Sequence, residues 1–257
     1  HLNTVLGEYV RTHRILNAFE NCPDKTGMYH CLRAFGDFEH ALQWRPTNRY
    51  IKLLNGRLRE LSEDSSVSTS SIAKALLGEE VRLPDRTPDL PVPSAFVHLL
   101  KGDFSEAERV AKLEVKGSIY ADDVVRNELV LAEIARRQGD LKKARTILDG
   151  AAEWALHSGS QEHLCFMHMF RGRLEAHEGD LNKSMRTIEE GLRSATDCQF
   201  TLLEILLLSD LSKVNGVLGE EADAKKNMDA ALALAKNQNV GLAPAFIEGH
   251  PPVRTSR

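Results

Sequence analysis

Two adjacent arginines, Arg136 and Arg137, stand just before the Gly139–Asp140 pair in the stretch RRQGDLKKARTILDGAAEWA. A glycine turn beside basic side chains is an arrangement that can bind phosphate, because glycine lets the backbone come close to an anion and arginine donates paired hydrogen bonds. Two similar stretches, AHEGDLNKSMRTIEEGLRSA and GVLGEEADAKKNMDAALALA, follow at intervals of 40 residues. This repetition assigns Gly139 to a turn between helices and leaves the arginines as the functional candidates.

Other patterns with chemical potential are few. His163 and His168 lie five residues apart, which places them about 140° apart around a helix, so they do not share a face with Cys165 as metal ligands would. The chain has no phosphate-binding loop, dinucleotide fingerprint, zinc-protease motif or nucleophile elbow. We therefore expect partly buried helix residues here, no metal site, no cofactor and no enzymatic activity.

The composition is that of an ordinary helical protein. The 257 residues are 42% hydrophobic, and a net charge of -4 gives no general attraction to nucleic acid or an anionic membrane. The most apolar run, FTLLEILLLSDL, is too short to span a bilayer, which needs about 20 residues. We expect a cytoplasmic protein with reduced thiols at Cys22, Cys31, Cys165 and Cys198. The start at His1 indicates a processed chain or an excerpt of a longer protein.

The repeated stretches share a register of small residues when they are aligned on Gly139, Gly179 and Gly219. Seven positions before each glycine stand Ala132, Gly172 and Ser212, and five positions after it stand Ala144, Ser184 and Ala224. Small residues also occupy positions 12 and 16 after each glycine, and a large apolar residue occupies position 9. The pattern predicts two helices joined by a tight turn, with small residues where the backbones approach closely. Such hairpins stack to bury a continuous core.

This pattern resembles the tetratricopeptide repeat family, through the small residues, the Gly-Asp turns and Ala144 and Ala224. The third turn departs from the family pattern with Gly219–Glu220, the usual proline is absent, and the period exceeds the common 34 residues. Long-helix variants of this kind are similar to the sensor arrays of bacterial signalling ATPases and of maltose-regulator-type transcription activators. The resemblance implies an all-α fold, a right-handed superhelical solenoid of antiparallel helix pairs.

The same register suggests four regions. Residues 1–62 are predicted to be helical with one degenerate repeat around Gly36, and residues 63–93 to be a Ser/Pro-rich connector with a short helix at 71–80. Residues 94–240 hold the repeats, with turns at Gly102, Gly139, Gly179 and Gly219, and residues 241–257 form a tail.

In the resembled family the first helix of each hairpin lines a concave surface. The implied inner positions lie 13, 10, 6, 3 and 2 residues before each turn glycine. They give a partly basic groove, whose candidate residues are Arg126, Leu129, Glu133, Arg136, Arg137, Phe166, Met169, Arg173, His177 and Lys213. The cations suit an acidic protein or peptide, since arginine pairs carboxylates bidentately. They also suit a solvated face at helix C-termini, which attract cations. Glu133, Arg173 and Lys213 stand where clamps for chaperone tails carry Asn, which disfavours that function.

Two functions remain open at this point. One is a non-catalytic scaffold that binds a peptide, helix or partner domain in the groove. The other is a ligand- or peptide-sensing regulatory module of a larger signalling or transcription-regulating protein. The sequence favours the scaffold and names neither the partner nor the oligomeric state.

Overall fold

A computed structural model describes residues 71, 74–83, 94–117, 121–158, 161–197, 200–237 and 240–241. These residues form helices and turns with no strand among them, which confirms the all-α prediction for this part of the chain. The predicted N-terminal region 1–62 and the tail after Gly241 lie outside the described residues. Between residues 94 and 237 the described part of the chain holds eight helices: α1 Ser94–Leu100, α2 Phe104–Gly117, α3 Ala121–Arg137, α4 Leu141–Ser158, α5 Gln161–His177, α6 Leu181–Asp197, α7 Thr201–Leu218 and α8 Glu221–Asn237.

Each predicted turn glycine ends the first helix of a hairpin in the left-handed conformation. The φ angles are 80°, 85°, 91° and 84° at Gly102, Gly139, Gly179 and Gly219. Glycine adopts this conformation at least cost, because it has no Cβ. At the first three turns the aspartate that follows the glycine starts the second helix, and the Asp140 Oδ1 accepts a hydrogen bond from the Lys143 amide at 3.0 Å. Asp180 and Asp103 do the same for Lys183 and Glu106.

The second helices are buried along one stripe that follows the predicted register. In α6 the buried residues are Ser184, Ile188, Gly191 and Ala195, at positions 5, 9, 12 and 16 after the turn glycine. A Cβ added to Gly191 would lie 2.7 Å from the His168 Cβ and 3.2 Å from a Leu207 methyl group, so α6 packs closely against both α5 and α7. The register therefore locates the helix contacts of this hairpin correctly.

The two helices within a hairpin touch at the paired small positions. A Cβ on Gly172 would lie 2.5 Å from the Ile188 Cγ1, which shows how close α5 and α6 approach. The Ser184 hydroxyl donates to the Gly172 carbonyl at 2.7 Å. In the last hairpin the direction is reversed, and the Ser212 hydroxyl of α7 donates to the Ala224 carbonyl of α8 at 2.6 Å. In these two hairpins the small residues thus leave room for one direct hydrogen bond between the helices.

Neighbouring helices along the chain pack against each other from α1 to α8. The first helices of successive hairpins also meet, α3 with α5 and α5 with α7. The inner positions of the predicted groove lie on these first helices, so packing between them decides which inner side chains stay accessible.

Candidate partner-binding site

The apolar candidates of the predicted groove lie in the core. Leu129 and Met169 have no exposed surface, and Phe166 is 4% exposed. Phe96 of α1 packs edge-on against Phe166, with their ring centroids 5.0 Å apart, and against Phe170 at 6.4 Å. These aromatic contacts stabilise the packing of α1 on α5. Leu129, Phe166 and Met169 are therefore packing residues and do not line an accessible groove.

Three of the charged candidates, Arg136, Arg137 and Arg173, converge on Glu133, whose side chain has no exposed surface. The Arg136 guanidinium donates two hydrogen bonds to its carboxylate, from Nε to Oε2 at 2.8 Å and from Nη2 to Oε1 at 2.9 Å. The Arg137 Nε donates to Oε1 at 2.8 Å, and the Arg173 Nη1 reaches the same oxygen at 3.5 Å. Three guanidinium groups thus surround one buried carboxylate, and such charge-assisted bonds are stronger than neutral ones.

Arg173 extends this network from α3 to α7. Its Nε donates to the Asp210 Oδ2 at 2.5 Å, and both side chains are less than 10% exposed. Glu133, Arg173 and Asp210 therefore form a chain of charges across three successive first helices. Asp210 is absent from the predicted site. The sequence did carry a signal for Asp210, because this acid interrupts the apolar run FTLLEILLLSDL. An acidic side chain that is buried with such a run needs a cationic partner.

Electrostatics hold this network in its charged form. Burial alone would raise the pKa of the Glu133 carboxyl, but Arg136, Arg173 and Arg137 hold it well below its ordinary value. For Lys213, burial lowers the pKa of the ammonium group, Asp210 opposes that change, and Arg173 and Arg137 add to it. Lys213 therefore lies in the positive electrostatic field of Arg173 and Arg137.

His177 and Phe104 lie at the accessible edge of the network. The Arg136 Nη1 lies 3.3 Å from the His177 Nδ1, and the neutral ring can accept a hydrogen bond there. Burial and the Arg136 charge both lower the pKa of His177, which favours that neutral form. The Arg137 guanidinium covers the Phe104 ring at 4.6 Å from its centroid, and Phe104 is 38% exposed. Sequence reasoning missed Phe104, because it begins a second helix rather than standing at an inner position.

We name Arg136, Arg137, Arg173 and Lys213, with the carboxylates of Glu133 and Asp210, the basic cluster. Arg126 lies apart from it, with its Nη2 paired to the Glu162 Oε2 at 3.1 Å. Among the described residues the cluster joins four cations and two carboxylates. The Arg136 and Arg137 side chains are 16% and 14% exposed, and Lys213 is partly exposed. The cluster can therefore attract an anion from solvent through its accessible edge.

The histidine and cysteine residues that the sequence analysis considered as metal ligands are His163, Cys165 and His168. All three lie in α5; His168 is partly buried as expected, whereas His163 and Cys165 are fully buried. The described residues include no group of three His, Cys, Asp or Glu side chains placed to share a metal ion. None of the described helices is long and apolar enough to cross a membrane.

Comparison with known proteins adds no family. A scan against protein-family models gave no match, and searches of the curated proteins and of the solved structures gave none either.

Proposed function

We propose that the chain is a non-catalytic protein-interaction module that binds an acidic peptide, helix or partner domain at the basic cluster. Its hairpins, in this proposal, form a right-handed solenoid of the tetratricopeptide type. The observation that carries the proposal is the convergence of cations from α3, α5 and α7 at one partly accessible place. A solvated face would spread its cations outward, whereas these arginines are held by buried carboxylates in fixed positions.

The accessible edge also offers an apolar contact. Phe104 lies directly beneath the Arg137 guanidinium, so a partner could place an apolar side chain beside a carboxylate. Interfaces commonly combine arginine with aromatic residues in this way. A partner with alternating acidic and apolar residues therefore fits the edge better than a purely acidic one.

A sensing role within a larger regulatory protein is the second candidate. It is favoured by the Glu133–Arg173–Asp210 chain, because these ion pairs connect α3, α5 and α7. A ligand that changed the pairing of Arg173 would alter the contacts between three helices at once. Such coupling requires that the ligand prefer one arrangement of the helices over another.

Lys213→Glu tests the proposed binding site without removing an arginine that pairs with Glu133. A change at Arg173 would instead leave buried carboxylates without their cation and destabilise the fold. The matched control is Lys225→Glu, the same charge reversal at an exposed position of α8. The probe is a short fluorescein-labelled peptide that alternates Glu and Leu, measured by fluorescence anisotropy.

We expect Lys213→Glu to weaken peptide binding by about tenfold or more, equivalent to ~1.4 kcal/mol. Lys225→Glu should retain the wild-type affinity, and both variants should keep the wild-type thermal midpoint within a few degrees. Equal affinity in the two variants would place the peptide elsewhere and would reject the basic cluster as the binding site.

A further inference from the structure

Within the described part of the chain, Lys213 is the one cation of the basic cluster without an ion pair. Both carboxylates of the cluster, Glu133 and Asp210, are paired with arginines. No described carboxylate lies within ion-pair distance of the Lys213 ammonium group, and Asp210 acts on its charge only from farther away. Lys213 therefore keeps a polar group that no described ion pair holds in place.

The Lys213 amine is also within reach of solvent. Its side chain is partly exposed, and its Nζ is not among the polar atoms that are sealed in the interior without a partner. Residues three positions apart are neighbours on a helix surface, and the neighbour of Lys213 on one side is the exposed Gly216. A Cβ added to Gly216 would meet only the Ala224 Cβ, at 3.9 Å. The surface beside Lys213 is therefore open on this side.

The surroundings of Lys213 favour its neutral amine. Burial lowers the pKa of the ammonium group, Asp210 opposes that change, and the charges of Arg173 and Arg137 add to it. A lysine pKa below its ordinary 10.5 increases the fraction of amine that carries a lone pair near neutral pH. Because the neutral amine is the form that attacks carbonyl groups, Lys213 has the character of a nucleophile.

The same surroundings attract anions. The basic cluster has four cations against two carboxylates, so it keeps a net positive charge even when Lys213 is neutral. A site lined by charges of one sign raises the local concentration of molecules of the opposite sign. An amine that lies among arginines therefore meets anionic acyl donors more often than an amine on the open surface does.

We propose that Lys213 is a site of covalent acylation by acyl phosphates, which are small anionic acyl donors. The neutral Nζ attacks the acyl carbon, a C–N bond forms, and the C–O bond to the phosphate group breaks. The phosphate leaves with the electron pair of that bond, and the proton that the nitrogen loses passes through water to the phosphate. The product is an uncharged amide. Acylation should therefore weaken binding of an acidic partner, a consequence that rests on the proposed function, whereas the reaction itself does not.

The reaction is tested with isotope-labelled acetyl phosphate on the full chain, and mass spectrometry of its peptides gives the rate at each lysine. Lys225 and Lys226 are internal controls, because both are exposed on α8, the helix that follows α7. A second sample is treated in concentrated urea, where the unfolded chain gives every lysine similar surroundings. A third sample is treated with the succinimidyl ester of acetic acid, an uncharged donor that the basic cluster does not attract.

We expect Lys213 of the folded chain to react with acetyl phosphate about tenfold faster than Lys225 and Lys226. Urea should abolish this preference, and the uncharged donor should reduce it. An equal or slower rate at Lys213 in the folded chain, or a preference that persisted in urea, would overturn the inference. A preference of the same size with both donors would show that the basic cluster does not recruit the acyl phosphate and would overturn the assignment of this donor class. Since the Glu/Leu peptide takes no part in the reaction, absence of peptide binding would reject the proposed function without changing this result.

Discussion

The first and second helices of the hairpins differ in how they are buried. In α6, a second helix, four of 17 residues are buried, and they form the single stripe that the glycine register defines. In α7, a first helix, 13 of 18 residues are buried, and they surround the helix. A second helix is therefore buried only along the stripe that contacts the first helix of its own hairpin and the first helix of the next, as α6 contacts α5 and α7. A first helix is enclosed by both neighbours and by segments that are distant in sequence.

This difference explains where the charges of the molecule are held. An ionised side chain on an outer helix stays in water and contributes little, as in the exposed Arg109–Glu106 pair. An ionised side chain on an enclosed helix must find partners, which is why Glu133 pairs with three arginines and Arg173 with two carboxylates. The same enclosure that makes the first helices into core thus also assembles the basic cluster.

The largest expected effect is that of Glu133→Gln. The variant keeps the shape of the side chain but leaves three guanidinium groups around a neutral amide. We expect a loss of about 3–5 kcal/mol in the free energy of unfolding, measured by urea denaturation. The control, Glu106→Gln on the exposed α2 pair, should leave the urea midpoint unchanged. A loss below about 1 kcal/mol for Glu133→Gln would mean that the enclosed and exposed pairs are equivalent.

The pH dependence of this difference has a definite sign. The ordinary pKa of a glutamate is 4.5, and the pKa of Glu133 in the folded chain is well below it. Above the ordinary value the unfolded chain binds no additional proton, so the stability from Glu133 is fully present. As the pH falls below 4.5 towards the folded-state pKa, that stability is lost progressively. The gap between wild type and Glu133→Gln should therefore be constant near neutral pH and narrow in acid. A gap that widened in acid would contradict the assignment.

A smaller effect compares the same substitution at a turn and on an outer helix. Gly139→Ala places a Cβ on a residue with a φ of 85° and should cost about 1 kcal/mol, although the space around it is open. Gly150→Ala adds the same group inside α4, where alanine favours the helix, and should stabilise the chain by about 0.5–1 kcal/mol. Thermal unfolding of the two variants should shift in opposite directions. A shift in the same direction would show that Gly139 does not limit the hairpin turn.

Sequence reasoning found the parts of the fold that depend on local spacing. The turn glycines and the buried stripe of α6 follow from residues that are close in the chain and recur at a fixed interval. The same spacing of small residues recurs in each hairpin, so three copies reinforce the register. The role of the Arg136–Arg137 pair in binding stays a prediction, which its position beside a turn suggested.

The accessibility of the inner side chains could not be predicted in the same way. The burial of Phe166 depends on Phe96 of α1, 70 residues earlier. The partner of Arg173 is Asp210, which stands in the following hairpin and outside the inner register. Both contacts join residues whose separation carries no periodic signal, so the register alone could not separate core from groove.

The measurement that tests the basic cluster most directly is NMR of the arginine Nε–H groups while the Glu/Leu peptide is added. We expect the signals of Arg136 and Arg137 to move and those of Arg186 and Arg193, which are exposed on α6, to stay in place. Peptide binding that leaves the signals of Arg136 and Arg137 unchanged, or moves those of Arg186 and Arg193 as much, would contradict binding at the basic cluster.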